Sequence, residues 1–312
     1  MRDAFSSTLV RLALADPKVL LLTGDHGYAL FDEFRKRCPN QYINAGIAEQ
    51  NMVGMAAGLA RVGFRPFVYG LAAFIPIRVV EQIKLDIAHD GLPVVLLGDG
   101  AGFVYSHLGT SHQSTEDIAC TRSIPGLELL SPADRHEMTA CMEYSYAANK
   151  PIYLRMGKSD RGDVHSAPLT DLQSGCLLQI KAGRADRPAI IATGAMVHTA
   201  LEVADHLEMA VWSAPSIKPL SAVSVCAVSA CASAVVTLEE HTVQGGLGSA
   251  VAEILSEHSP AKVLRLGVRD RFSEHCGSYT YLLKEHGLDS TSVEQHIITH
   301  FQLSPIVLST HP

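Results

Sequence analysis

Basic stripes are missing from this sequence. Its 312 residues hold 25 Lys and Arg against 32 Asp and Glu, a formal net charge of −7 with a pI near 6.1. A nucleic-acid or anionic-membrane partner needs clustered positive charge, so small molecules or another protein are the expected partners. Cys-x-x-Cys pairs are missing too. The seven cysteines (Cys38, Cys120, Cys141, Cys176, Cys226, Cys231, Cys276) are odd in number and widely spaced, and read as reduced packing residues rather than disulfides or metal ligands. No secretory leader is visible, because residues 1–16 carry Arg2, Asp3 and Arg11 inside an amphipathic helical pattern, and a cytoplasmic location is the expectation. Charge of either sign is absent from 219 to 238, between Lys218 and Glu239, which is membrane-spanning length. Ser221, Ser224, Ser229, Ser233 and Thr237 interrupt that stretch, alanine rather than leucine dominates it, and Val235–Leu238 ends it like a strand. A buried helix followed by a buried strand is the expected outcome. No internal repeat is evident.

What is present is an ordinary globular balance, 47% hydrophobic and 18% charged, with length enough for two domains and ample core. Short apolar runs alternate with helical patterns. Val19–Thr23, Tyr42–Asn44, Phe67–Tyr69, Pro93–Leu97, Leu127–Leu130 and Ile152–Arg155 read as strands. Helices are expected over the first 16 residues, from Met52, over Phe74–Ala88, and from Ser131-Pro-Ala-Asp134 to about Ala148. Gly, Asp, Ser, Lys and Pro thicken after Met156. The expected organisation is therefore a first domain over 1–160, a linker over 161–187 and a second domain over 188–312. The second alternation runs through Ala189–Ala192, a helix near Val197–Glu208, the uncharged block, the Gly245–Gly248 turn opening a helix, Lys262–Arg265, and a helix near Tyr279–His286. The fold class is α/β, two doubly wound domains with mainly parallel sheets and the site at the carboxyl ends of the first domain's strands. Asp25, Glu49, His107 and His112 gather at that edge in such a fold.

One stretch stands out, Asn44-Ala-Gly-Ile-Ala-Glu-Gln-Asn51. It runs into a helix of small residues in which Gly54 and Gly58 lie four apart, close enough on one face to admit another backbone. Glu49 sits in the first turn, where the helix dipole favours a carboxylate and the surroundings are dry.

Gly46-Ile-Ala-Glu-Gln-Asn51 resembles the signature of the pyrimidine-binding domain of transketolase and 1-deoxyxylulose-5-phosphate synthase, and the similarity in element order extends over essentially the whole chain. Gly109-Thr-Ser-His-Gln113 and Glu239–Ser249 add to it. The resemblance implies thiamine diphosphate as cofactor, with Glu49 bonding N1′ of its aminopyrimidine. It further implies Phe74 as a stacking ring, Asp25 as a cofactor-positioning loop acid and His112 as the histidine facing substrate oxygens. Arg155 matches an arginine that grips a substrate phosphate. Arg78 with Glu81-Gln82 resembles an Arg-x-x-Asp-Gln run of the deoxyxylulose-phosphate synthases, which implies a substrate-binding arginine, and His107, a further substrate-binding candidate, shares the loop of His112.

The family's Gly-Asp-Gly followed some 25–30 residues later by asparagine holds Mg2+ and the diphosphate. Here Gly98-Asp-Gly100 is followed by no asparagine before Asn149 and sits in the substrate loop. The expectation is a half-site, completed by an N-terminal transketolase subunit carrying the diphosphate-binding domain and the metal ligands, in an α2β2 assembly. The reaction implied is two-carbon ketol transfer between a ketose donor and a small-molecule sugar or carrier-bound acceptor. Leu108 stands where transketolase has a hydroxyl-reading aspartate, and Ala29 and Gly100 stand where phosphate-assisting residues fall, which argues against an ordinary aldose phosphate acceptor. The beta subunit of a 2-oxoacid dehydrogenase and a non-catalytic assembly partner are the alternatives.

Overall fold

The computed structural model describes residues 1–303. Helix α1 (Arg2–Ala15) leads into β1 (Val19–Thr23), followed by α2 (Asp32–Arg37), β2 (Tyr42–Asn44), α3 (Glu49–Arg61) and β3 (Arg65–Leu71). A short helix α4 (Val80–Gln82) continues into a wide π-type turn, Ile83–Ala88, before β4 (Val95–Asp99), α5 (Asp117–Arg122), β5 (Glu128–Leu130), α6 (Arg135–Ala147) and β6 (Ile152–Met156). The second half holds β7 (Leu178–Lys181), β8 (Ala189–Ala192), α7 (Met196–Leu207), β9 (Ala210–Ser213), β10 (Ser216–Lys218), α8 (Ala222–Ala230), β11 (Val235–Thr242), α9 (Leu247–His258), β12 (Val263–Val268), α10 (Tyr279–Glu285) and α11 (Ser290–Phe301).

The first sheet runs β10-β5-β6-β4-β3-β1-β2, parallel except for β10. Its central strands are buried on both faces, as their unbroken apolar runs require. Leu21, Phe67, Val95 and Leu154 pack with α1 and α6 on one side. Leu20, Leu22, Val68, Leu96 and Tyr153 pack with α3 and the Ile83–Ile87 turn on the other. The chain leaves β1 toward β2 at one edge and returns to β3 on the opposite side of β1. The connections after β1 and β3 therefore diverge, and a crevice opens at their carboxyl ends, the usual ligand position in such sheets.

The second sheet, β12-β11-β8-β9-β7, is parallel except for β7. Helices α7, α10 and α11 cover one face, and α8 and α9 the other. The uncharged stretch 219–238 folds as α8 and the first half of β11; the strand is buried as expected, but the helix is not, since only Val225 and Val228 are buried on it and Val223 is 82% exposed, and among the described residues no helix is long and apolar enough to cross a membrane.

Several local expectations are corrected. Strand β7 lies inside the expected 161–187 linker; its alternating Leu178-Gln-Ile-Lys181 is a part-exposed edge, with no apolar run to betray it. The domains are also not separated in space. Strand β10 of the second half closes the edge of the first sheet against β5, and Phe103, from the loop after β4, is buried in the second domain's core and stacked on His286 at 4.8 Å. Helix α6 is capped by Asp134 rather than Ser131. Helical turns after β3 begin at Ile77, not Phe74. Among the described residues, no other part of this chain approaches within 4 Å of a side-chain position at Gly54 or Gly58.

Asp134 does more than cap. Its Oδ1 accepts from the His136 and Glu137 amides at 2.9 Å, and its Oδ2 accepts from the Val164 and His165 amides at 3.0 and 2.9 Å. One fully buried carboxylate thus ties α6 to the segment leaving the first domain. Although burial opposes the charge, the His165 side chain and the Glu137 and His165 amides hold Asp134 well below the usual carboxylate range. Its contribution to stability is then complete above the unfolded value of about 3.9 and is lost as pH falls toward the folded one. Asp134→Ala is expected to destabilise the chain by about 3 kcal/mol at pH 7 in urea unfolding. The gap from wild type should narrow below about pH 4.

Candidate functional site

Asn44 ends β2 opposite Thr23, the last residue of β1. The turn that follows is built by short-range bonds: the Ala45 amide donates to Thr23 O at 2.8 Å and the Gly46 amide to Asn44 Oδ1 at 2.9 Å. Gly46, at φ +70°, occupies a conformation that a side chain would strain, and this turn sets the first residue of α3. That residue is Glu49, only 4% exposed. Its acid group sits in the first turn, where the positive end of the helix dipole favours a carboxylate.

Across the crevice, Phe74 follows β3 in a turn closed by its amide donating to Leu71 O at 2.8 Å. Arg78 reaches back from the next turn. Its Nη1 donates to Glu49 Oε1 at 3.0 Å, and its Cζ lies 4.1 Å from the centre of the Phe74 ring. His112, from the loop after β4, meets the same ring edge-on with centroids 5.4 Å apart, and its Nδ1 is 3.0 Å from Ser111 Oγ. The structure thus brings Glu49, Arg78, Phe74 and His112 into one continuous cluster at the switch point.

Asp25 lies in the loop after β1, exposed, with a left-handed φ of +64°. Its carboxylate accepts from Asn44 Nδ2 at 3.1 Å, and that bond together with one from Tyr28 lowers its pKa. His26, which sequence reasoning missed, is half-buried beside it, and its Nε2 is sealed from solvent without a hydrogen-bond partner. Burial pushes the imidazole toward its neutral form, against the pull of Glu49 and Asp25. The only signal in the sequence is adjacency to Asp25. His107 is exposed in the short turn Ser106–Leu108 and is not part of the cluster.

Residues 1–162 match the transketolase pyrimidine binding domain and residues 180–293 the transketolase C-terminal domain. The chain belongs to the transketolase family. It is 34% identical to a 6-deoxy-6-sulfo-D-fructose transketolase subunit of Clostridium sp. (strain MSTE9), over 94% of this chain and 92% of that one. An apulose-4-phosphate transketolase subunit of Phocaeicola vulgatus is 32% identical over 94% of each. Against the 1-deoxy-D-xylulose-5-phosphate synthase of Caldanaerobacter subterraneus subsp. tengcongensis, 33% identical, it spans 49% of the relative's length. Among solved structures it superposes on a split gene transketolase, described as an inactive beta4 tetramer, with a TM-score of 0.86 and 35% identity over 97% of this chain and 98% of that one. The domain pair and length are those of one subunit of a split transketolase, and enzymes of this family use thiamine diphosphate.

Within this transketolase architecture, Arg155 does not join the site. It is 4% exposed at the end of β6, with Nε on Asp117 Oδ2 at 2.8 Å and Nη2 donating to the Ser114 and Glu240 carbonyls at 3.3 and 2.9 Å. Nε and Nη2 of the guanidinium thus join α5, the substrate loop and β11, against the expectation that Arg155 grips a substrate phosphate. Around it, Glu240 accepts from the Phe103 amide and from Tyr279 Oη, both at 2.5 Å. Glu239 accepts from the Leu247 and Gly248 amides at 2.7 and 2.8 Å, capping α9. The Glu239–Ser249 motif is therefore an interdomain seal here.

Gly98-Asp99-Gly100 is likewise explained by packing. Asp99, 3% exposed, accepts from Tyr69 Oη at 2.6 Å and Tyr105 Oη at 3.1 Å. Gly100, at φ +77°, leaves no room for a side chain beside the Tyr105 ring. Arg155→Met should destabilise the chain by about 3–5 kcal/mol, because it strands a buried Asp117, and this would be read as a lowered melting temperature. A purely substrate-binding arginine would leave melting unchanged and raise KM instead.

Proposed function

We propose that this chain is the C-terminal subunit of a split transketolase. In this reading Glu49 and Phe74 hold the aminopyrimidine of thiamine diphosphate, and a partner subunit supplies the diphosphate and Mg2+ ligands in an α2β2 assembly. The observation that carries it is the pairing of a buried carboxylate with an aromatic face around one planar group. Glu49 and Phe74 clasp the Arg78 guanidinium between them, so a planar heteroaromatic with a nitrogen donor suits the same pair.

When bound, the cofactor supplies a nucleophilic carbon that can attack a ketose carbonyl and carry a two-carbon unit. Glu49 holds the proton shared between its carboxylate and the ring nitrogen, a role that needs a carboxylate at a dry site. His112 uses Nδ1 on Ser111 and keeps Nε2 for substrate oxygens, where it can donate to a developing alkoxide. Phe74 fixes the imidazole from its side. His26, held neutral, and Asp25 line the same crevice from the β1 loop. Arg78, half exposed, and His107, exposed on the loop that also carries His112, would meet a charged or hydroxylated substrate.

Both split relatives carry substrate names with an anionic sugar, a sulfonate in one and a phosphate in the other. For this chain a ketose donor is part of the same proposal. The acceptor differs from an ordinary aldose phosphate, because Leu108, 47% exposed, Ala29 and Gly100 offer no side-chain hydrogen bond.

With the reconstituted pair, Glu49→Gln should keep the shape and reduce two-carbon transfer by about 10²–10⁴, with assembly intact by size-exclusion chromatography. His112→Ala should cost about 10²–10³. Near wild-type turnover by Glu49→Gln would remove the basis for this function.

A further inference from the structure

Arg78 does two things at once, and together they define a slot. The guanidinium donates to Glu49 at 3.0 Å and lies 4.1 Å over the Phe74 ring, so it fills the space between carboxylate and ring. A flat cation hydrogen-bonded edgewise to an acid and stacked facewise on an aromatic has the same two contacts that a ring-nitrogen donor stacked on Phe74 would make. Both cannot occupy the slot. The two partners are also unlike in burial: Glu49 is 4% exposed, whereas Arg78 is 47% exposed and comes from a short turn, Ile77–Val79, at the crevice rim. A buried carboxylate must keep a partner, but a half-exposed arginine can move into water at small cost.

We propose that Arg78 is a placeholder: it neutralises Glu49 and covers Phe74 in the isolated chain, and must swing out before the aminopyrimidine enters. The inference rests on the reading that Glu49 and Phe74 hold that ring. Its consequence is a built-in competition. Part of the cofactor's binding energy is spent in displacing the arginine, and the displaced guanidinium is left at the rim without its acid. The device also keeps a buried charge from standing unpaired while the chain has no cofactor.

The test is the dissociation constant of thiamine diphosphate with Mg2+, measured by isothermal titration calorimetry on the chain reconstituted with its partner subunit. Arg78→Ala and Arg78→Gln should both tighten binding about tenfold, the equivalent of about 1.4 kcal/mol. Arg78→Lys, which keeps the charge and loses the plane, should fall between them and wild type. Unchanged or weaker binding by the Ala and Gln variants overturns the placeholder. So does failure of all three variants to fold, since a placeholder on a half-exposed side chain is dispensable for folding. Glu49→Gln in the same titration separates the two claims. If it binds and turns over as wild type, the reading of the site falls; if it loses both while Arg78→Ala merely fails to tighten, only the placeholder falls.

Discussion

A carboxylate buried at the first turn of a helix needs a partner, and the crevice of this protein is arranged around that requirement at Glu49. Its position is set from below. Strand β1 aligns β2, the Asn44–Gly46 turn sets the start of α3, and α3 carries the acid to the switch point of the sheet. Everything else in the cluster arrives from neighbouring strand ends: Phe74 and Arg78 after β3, His112 after β4, Asp25 and His26 after β1. Each of these loops leaves an inner strand of the sheet, one with a neighbour on either side. The acid therefore meets its partners because the strand order brings their carboxyl ends together.

The same rule, that buried charge must be answered, also fuses the two domains. Arg155 answers Asp117, its spare hydrogens reach the backbone of the substrate loop and of β11, and Glu239 and Glu240 are answered by amides and a tyrosine hydroxyl. Burial raises the pKa of Glu240, and the Phe103 amide and Tyr279 pull it back. The loop that carries His112 is held between these bonds and the burial of Phe103 in the second core. Positioning at the site thus depends on polar contacts well removed from it, with strand β10 sealing the sheet edge beside them.

Much of this is legible in the sequence, and what is not has physical reasons. Buried parallel strands announce themselves as apolar runs, so Val19–Thr23 and Ile152–Arg155 read directly. The edge strands Leu178–Lys181 and Ser216–Lys218 have mixed composition and gain their partners only in the folded chain, so local pattern is silent about them. Helix α11 escapes for a similar reason: only Val293 and Ile297 are fully buried on it. At the site, the motif around Glu49 carries most of the information, and the structure sets Phe74, Arg78 and His112 beside it. Arg155 misleads because an arginine at a strand end looks the same whether it faces a ligand or a buried aspartate on α5. His26 has no weight in the sequence, since its burial and orphaned Nε2 exist only in three dimensions.

On the proposed function, this chain is half of a cofactor site, with Glu49 and Phe74 on one side and the diphosphate and metal ligands on another subunit. Calorimetric titration of thiamine diphosphate with Mg2+ into the full chain by itself, and then into the chain with its partner, tests that most directly. Binding by the chain alone should be weak and indifferent to Mg2+, and should become tight and metal-dependent when the partner is added. Tight, metal-dependent binding by this chain alone would contradict the account.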